Sequence, residues 1–521
     1  MPLSRAESNV ALGCCLWGLF LACLPITCRA DDLETMGVRL VRASHPTLTG
    51  AGVEVAQPEA LDATNSPEFE VNYASVGEPE DLFDWISTNG TATVFPNDLG
   101  TESFHADDVA DCFYGPSEGV APGVAHVDNY ESDYFYNYIV VTAYRISDQV
   151  VNQSFAFFIG PPEQQPVDSV YDNYIADYGT VFCSGVNGLG TSVGPPGTAY
   201  NCIGVGAYGV GAVVCDGPTL DNGRCKPDIV APGTETSLTI PYVAGAAAVL
   251  LQAAAAGEGG TNTAAAGNVR TIKALLLNGA LKPFDWTNST NAPLDNRYGA
   301  GVLNLYYSYE QLAGGEQGYT SQNNVASGTA HPPIASGQAV GSLAGWDFES
   351  ISSNSLQDTV NHYLFNVSSN STLTATLVWE RHFGKTNINN LALFLYNATN
   401  AALLACSVSR VDNVQHLYLP RLAPGTYDLE VVTYARPSWE TYALAFQYFS
   451  MMPPGLSAAL TTTNAIITWP WSPTVYTLQQ TSSLNPPATW TNVTATEWIT
   501  NNMVLTSVNY SGSAGYFRLV R

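Results

Sequence analysis

Between Lys226 and Gln252 the chain reads KPDIVAPGTETSLTIPYVAGAAAVLLQ, and the rest of the sequence can be arranged around this stretch. Its first half reads as a buried strand running into a Pro/Gly turn. Its second half is apolar and Ala-rich from Tyr242 onward, the pattern of a buried helix. Thr236 and Ser237 fall in the loop between them. A hydroxyl there stands at the entrance of a helix whose first N–H groups lack partners and favour a developing negative charge. Two roles follow from that position, a helix cap or a nucleophile.

The stretch resembles the nucleophile region of the subtilisin-like serine peptidases, where KPD-x-x-APG precedes G-T-S-x-A-x-P-x-V-A-G. Thr236, Ser237, Pro241, Val243, Ala244 and Gly245 fall in step with that pattern. Glu235 replaces the Gly before Thr-Ser, and the segment that usually separates the two motifs is almost absent. The resemblance implies Ser237 as nucleophile, and it continues upstream in the family's order. Gly50-Ala51-Gly52-Val53-Glu54-Val55-Ala56 is similar to the strand that ends in the family's catalytic Asp, and here that place falls to Glu59, with Asp62, Asp84 and Asp98 as alternatives. Ser103-Phe104-His105-Ala106-Asp107-Asp108-Val109-Ala110 is similar to S-H-G-T-H-V-A, which makes His105 the implied base. An imidazole can take a proton from an alcohol near neutral pH and return it to a leaving amine. The extra carboxylates beside it would raise its pKa and move the optimum toward alkaline pH.

Val150 to Phe155 is similar to the strand that pairs with substrate backbone in the family, so Ser154 is the implied substrate-binding residue. Thr180 to Gly188 is similar to the segment carrying the oxyanion-hole Asn, which places Asn187 in that role. A plain core strand and a plain turn Asn remain alternatives for these two. Asn201 to Ala207, Val269 to Leu281 and Arg297 to Asn304 continue the likeness, which runs with gaps from about Thr49 to Leu312.

Residues 1–30 carry Arg5, an apolar run from Val10 to Ile26 and a Cys28-Arg29-Ala30 end, the pattern of a cleaved secretory signal. The run is short for a spanning helix. Its removal leaves 16 basic and 44 acidic residues, a formal charge of −28. Such a surface repels nucleic acid and anionic membranes. Six cysteines remain, with Cys215 and Cys225 flanking the loop DGPTLDNGR, where a bridge would contribute about 2–3 kcal/mol. No C-x-x-C pair is present, so no zinc or redox site is expected.

The 521 residues therefore divide into a signal peptide (1–30), an α/β peptidase domain with a mostly parallel sheet flanked by helices (31–315), a Gly/Ser-rich linker (316–345), a β-sandwich (346–450) and a small all-β C-terminal module (451–521). The expected function is a secreted serine endopeptidase acting on polypeptides through Ser237, His105, Glu59 and Asn187. It needs no cofactor, although related enzymes often bind structural calcium. The β modules suggest attachment to a cell surface or extracellular matrix. The competing reading is a subtilisin-shaped pseudoenzyme that binds rather than cleaves, and a more distant one borrows the Ser-Glu-Asp chemistry of the sedolisins.

Overall fold

The structure is a computed structural model that describes residues 30–520 except 62–66, 158, 187–191, 213, 216, 322–331, 353–358, 434–438, 451–454, 461–463, 471–475, 486, 496, 501–502 and 510–514. Its first domain is built on an eight-stranded sheet. The strands lie in the order Ile229–Pro232, Ile203–Tyr208, Val181–Gly185, Val150–Gln153, Glu54–Glu59, His126–Glu131, Phe83–Ser87 and Gly90–Ala92. All neighbours are parallel except the last pair, a hairpin at the edge. This is the mostly parallel sheet that the sequence implies.

Parallel strands need helical crossovers, and these cover both faces. In the strand Val181–Gly185, Gly185 faces Ile240 of the helix Thr236–Ala255, where an added Cβ would come within 3.1 Å of the Ile240 Cδ1. Phe182, of opposite parity, meets Tyr171 and Tyr174 of the helix Pro161–Tyr178 edge to face at ring distances of 5.8 and 5.6 Å. The helix Thr236–Ala255 is the only one among the described residues long and apolar enough to cross a membrane, yet 78% of its apolar window is buried in the domain. It is apolar on every side because protein surrounds it.

The chain reverses its direction of travel through the sheet at Glu54–Glu59. From there it passes to Phe83–Ser87 on one side, returns through His126–Glu131, and then adds Val150–Gln153 and its successors on the other. The carboxyl ends of strands at such a switch point form a crevice. Glu59 and Gln153 end the two strands that border it.

Behind this domain, two four-stranded antiparallel sheets form the sandwich. One contains Ala344–Ile351, Glu440–Ser450, Ser371–Trp379 and Val414–Leu422; the other Val360–Val367, Gly425–Thr433, Leu391–Asn397 and Ala402–Ser407. Leu373, Ala375 and Leu377 fill the space between the sheets. Residues of opposite parity turn the other way, onto the helix Val269–Gly279, where the Oγ1 atoms of Thr374 and Thr376 both donate to Asn278 Oδ1 at 2.9 Å. The sandwich thus docks on the α/β domain through a shared core that includes Val378, Val414, Ala443 and Ala445. Short antiparallel strands with their own small core, including Ile467, Trp469 and Leu478, make up the last module.

Cys215 and Cys225 are both buried and are not bridged to each other, so the bridge considered across the loop between them does not form. Cys225 packs in the main core and its N–H donates to Asp412 Oδ1 at 2.7 Å, whereas Cys215 packs with Val186 and Val193. The two side chains belong to different clusters.

Candidate active site

The KPD signature folds into a buried charge cluster. Lys226 Nζ lies 2.6 Å and Lys273 Nζ 3.3 Å from Asp228 Oδ2, which also accepts the Gly204 N–H at 2.7 Å. Burial pushes Lys273 down to about 8 even beside that carboxylate. The cluster fixes the strand Ile229–Pro232 against its neighbour Ile203–Tyr208 and so sets where the following turn emerges.

That turn enters the helix Thr236–Ala255 with Glu235 at the cap position and no side-chain cap. Thr236 Oγ1 is buried without a partner, and Ser237 Oγ donates across the crevice to the Ser154 carbonyl at 3.3 Å. Neither hydroxyl caps the helix, which answers the first alternative left by the sequence. Pro241 has no N–H to give to the carbonyl four residues before it, that of Ser237. Ser154 Oγ donates to that carbonyl instead, at 2.8 Å, and is itself held by Asn152 Nδ2 at 3.0 Å.

Ser154 is therefore at the site, but its hydroxyl holds the Ser237 turn rather than facing outward. Of the segment Val150 to Phe155, the strand Val150–Gln153 is paired on both sides, with Glu54–Glu59 and with Val181–Gly185. Only the segment beyond it has left the sheet, where Phe157 N–H donates to the Pro195 carbonyl at 2.7 Å.

On the other side of the crevice, Ser103 caps the helix Phe104–Phe113 by accepting the Ala106 N–H at 3.2 Å. His105 is the second residue of that helix. Its Nδ1 lies 3.0 Å from Glu59 Oε2. The Glu59 carboxylate is 1% exposed, while the imidazole is 36% exposed, so one end of the ring is anchored in the protein and the other reaches the surface. Among the alternatives to Glu59, Asp84 lies 3.7 Å from a different imidazole, that of His126, and Asp62 falls outside the described residues. Asn187 also falls outside them.

Two residues that sequence reasoning missed complete the arrangement. Gln57 Nε2 donates to Glu59 Oε1 and to the Ala106 carbonyl, each at 2.9 Å, and Tyr114 Oη donates to Gln57 Oε1 at 2.5 Å. Both Glu59 oxygens are thus engaged, one by the imidazole and one by an amide. The available signal was the alternation of the strand, which puts residues 57 and 59 on one face.

Of the extra carboxylates, Asp107 turns away from the imidazole. It accepts the Asn72 N–H at 2.7 Å, and burial pushes its carboxyl up to about 8. Asp108 is the one that feels the site. Burial raises its pKa, His105 lowers it, and Glu235 raises it again. One carboxyl within Coulomb reach of both His105 and Glu235 brings the two helix entrances to the same crevice. The helices can approach because Gly245 has no side chain; a Cβ there would lie 2.6 Å from Val120 Cβ and 3.2 Å from the Phe113 carbonyl oxygen.

Residues 106–301 match the sequence profile of the subtilase family. No protein of curated function matches the chain. Among solved structures it is similar to the prenylagaramide maturation protease PagA, at 19% identity and a TM-score of 0.36 over 53% of this chain and 98% of that one. It is also similar to tripeptidyl peptidase 2, at 11% identity and a TM-score of 0.31 over 79% of this chain and 52% of that one. The pre-peptidase C-terminal domain of a collagenase from Bacillus anthracis shares 20% identity with a TM-score of 0.18, over 23% of this chain and the whole of that domain.

Proposed function

The α/β domain of this chain belongs to the subtilase family, and on that premise we propose a secreted serine endopeptidase that cleaves polypeptides through an acyl-enzyme on Ser237. The observation that carries this reading is the 3.0 Å contact between Glu59 Oε2 and His105 Nδ1. A carboxylate on Nδ1 fixes the tautomer in which Nε2 is bare and basic.

In this reading Nε2 takes the Ser237 hydroxyl proton as Oγ attacks the scissile carbonyl. Glu59 steadies the imidazolium that forms. The uncapped helix entrance favours the oxyanion electrostatically, and Asn187 adds an amide donor. His105 then gives its proton to the leaving amine, and a water molecule, deprotonated the same way, hydrolyses the ester. Export by the N-terminal signal and a site of action outside the cell belong to the same proposal.

A fluorophosphonate probe tests it, because an activated serine attacks its phosphorus, displaces fluoride and keeps the phosphonyl group. Wild-type protein should be labelled at Ser237, and Ser237→Ala and His105→Ala should not. Folded wild-type protein that stays unlabelled at saturating probe would replace this reading with that of a binding protein on a subtilase scaffold.

A further inference from the structure

At the amino edge of the large sheet, opposite Glu59, acidic and imidazole groups from three parts of the chain converge. Asp84 and Asp128 sit at the same level of the paired strands Phe83–Ser87 and His126–Glu131. His126, two residues before Asp128, shares its face. His126 Nε2 lies 3.2 Å from Asp128 Oδ1 and 3.7 Å from Asp84 Oδ2, and one ligand atom from each of the three falls within 4.8 Å of the others.

A fourth group points into the cluster. Asp148 is 2% exposed, neither of its carboxylate oxygens makes a well-formed hydrogen bond to a donor, and its side chain meets that of Asp128, carboxyl to carboxyl. It comes from the far side of the strand Glu54–Glu59, where the Gln149 N–H donates to the Glu54 carbonyl at 2.9 Å. Asp128 Oδ2 accepts the Tyr130 hydroxyl at 3.1 Å. Among the described residues, His126 is the basic side chain within 4 Å of Asp84 and Asp128.

Three carboxylates around one imidazole repel one another, and a buried carboxylate without donors is costly in a folded protein. A dication answers both. Ligands on a zinc-sized ion at about 2.1 Å stand roughly 3.0–3.4 Å apart, close to the separations around His126 Nε2. The imidazole argues against calcium, which takes oxygen ligands, and for an ion of the zinc or manganese class.

We propose that Asp84, His126, Asp128 and Asp148 bind one divalent transition-metal ion that ties together the amino ends of the central strands. His126 pairs with Glu54 and Glu131 with Glu59, so the ion sits five residues, about 16 Å, down the strands from the catalytic edge. Its role is to hold the sheet that positions Glu59.

The full chain, stripped with a chelator and dialysed, is titrated with ZnCl2 and MnCl2 by calorimetry and followed by thermal unfolding. Wild type should take up one equivalent that His126→Ala and Asp148→Asn each lose or bind at least tenfold more weakly, with a Tm rise seen only in wild type. Cobalt loading should add a visible absorption band that His126→Ala lacks. Should those two variants fail to fold, Asp84→Asn, changed at a half-exposed rim, must still weaken binding at least tenfold. The proposal falls if wild type binds no ion, leaving the carboxyls to share a proton, or if the folded variants bind the same number with the same affinity.

Discussion

Gln57 Nε2 donates to Glu59 Oε1 at 2.9 Å, so the carboxylate that holds His105 is itself held by the residue two places before it on the same strand. The amide has its own anchors in the Ala106 carbonyl and the Tyr114 hydroxyl. A hydrogen bond to a charged group is worth about 1.5–3 kcal/mol.

Replacing the amide by an apolar isostere should therefore loosen the imidazole more than it harms the fold. For Gln57→Leu we expect kcat on a peptide substrate to fall about 10- to 100-fold with KM little changed. Tyr114→Phe, one bond further out, should cost less. A Gln57→Leu enzyme with wild-type kcat would remove Gln57 from the positioning of Glu59.

Glu59 stands where the family pattern places Asp, and the geometry is built for the longer side chain. With Oε2 already 3.0 Å from Nδ1, removing a methylene draws the carboxylate back by about 1 Å or more. A misplacement of that size costs on the order of a hundredfold. Glu59→Asp, although it restores the family's residue, should thus lower kcat/KM about 100-fold, and Glu59→Gln should lower it further because the neutral amide no longer selects the tautomer. Rates of fluorophosphonate labelling give the ranking directly; an Asp variant as fast as wild type would contradict it.

What could be read from the sequence follows a physical division. The helix Thr236–Ala255 and the strand Ile229–Pro232 were legible because burial on all sides leaves a continuous apolar text. The pairing of Glu59 with His105 was legible because motif order places both beside the crevice. Gln57 and Tyr114 were not, since nothing local separates an amide that faces a buried carboxylate from one that faces water. The docking of the sandwich was hidden for a similar reason. Thr374 and Thr376 alternate with core residues as solvent-facing threonines would, yet they cover Asn278. Polarity marks a face as not core, and it does not say whether water or another domain meets it.

Asp107 makes the pH dependence of stability testable. Burial first, and then Glu102, raise its carboxyl from 3.8 to about 8, against the lowering effect of the Asn72 N–H. In the unfolded chain it ionises near its ordinary value, so between about pH 4 and pH 8 the folded state holds a proton the unfolded state has released. Stability from this group must then fall as pH rises through that window. Asp107→Asn keeps an oxygen for the Asn72 N–H and cannot ionise. Urea denaturation should show the variant gaining stability relative to wild type between pH 5 and pH 8. A constant difference across that range would show that Asp107 does not titrate there.

A buried cation, Arg381, links the sandwich to the α/β domain. Arg381 Nη2 lies 2.6 Å from Asp172 Oδ2, close but off line for a hydrogen bond, and Nη1 donates to Gln165 Oε1 at 2.7 Å. The guanidinium also sits 4.8 Å from the centre of the Tyr200 ring. Asp172 is fully buried, and burial raises its pKa although Arg381 and the Asn201 N–H oppose the shift. Removing one member of such a pair costs about 3–5 kcal/mol because the other charge is left buried alone, whereas removing both costs much less. Arg381→Met should therefore destabilise the full chain by about that amount, and Asp172→Asn combined with Arg381→Met should recover a large part of it. Because the pair spans two cores, the loss should appear in one transition that includes the peptidase domain, together with faster loss of fluorophosphonate labelling on heating. A single variant within about 1 kcal/mol of wild type would mean that water already reaches the pair and that the domains dock through their other contacts.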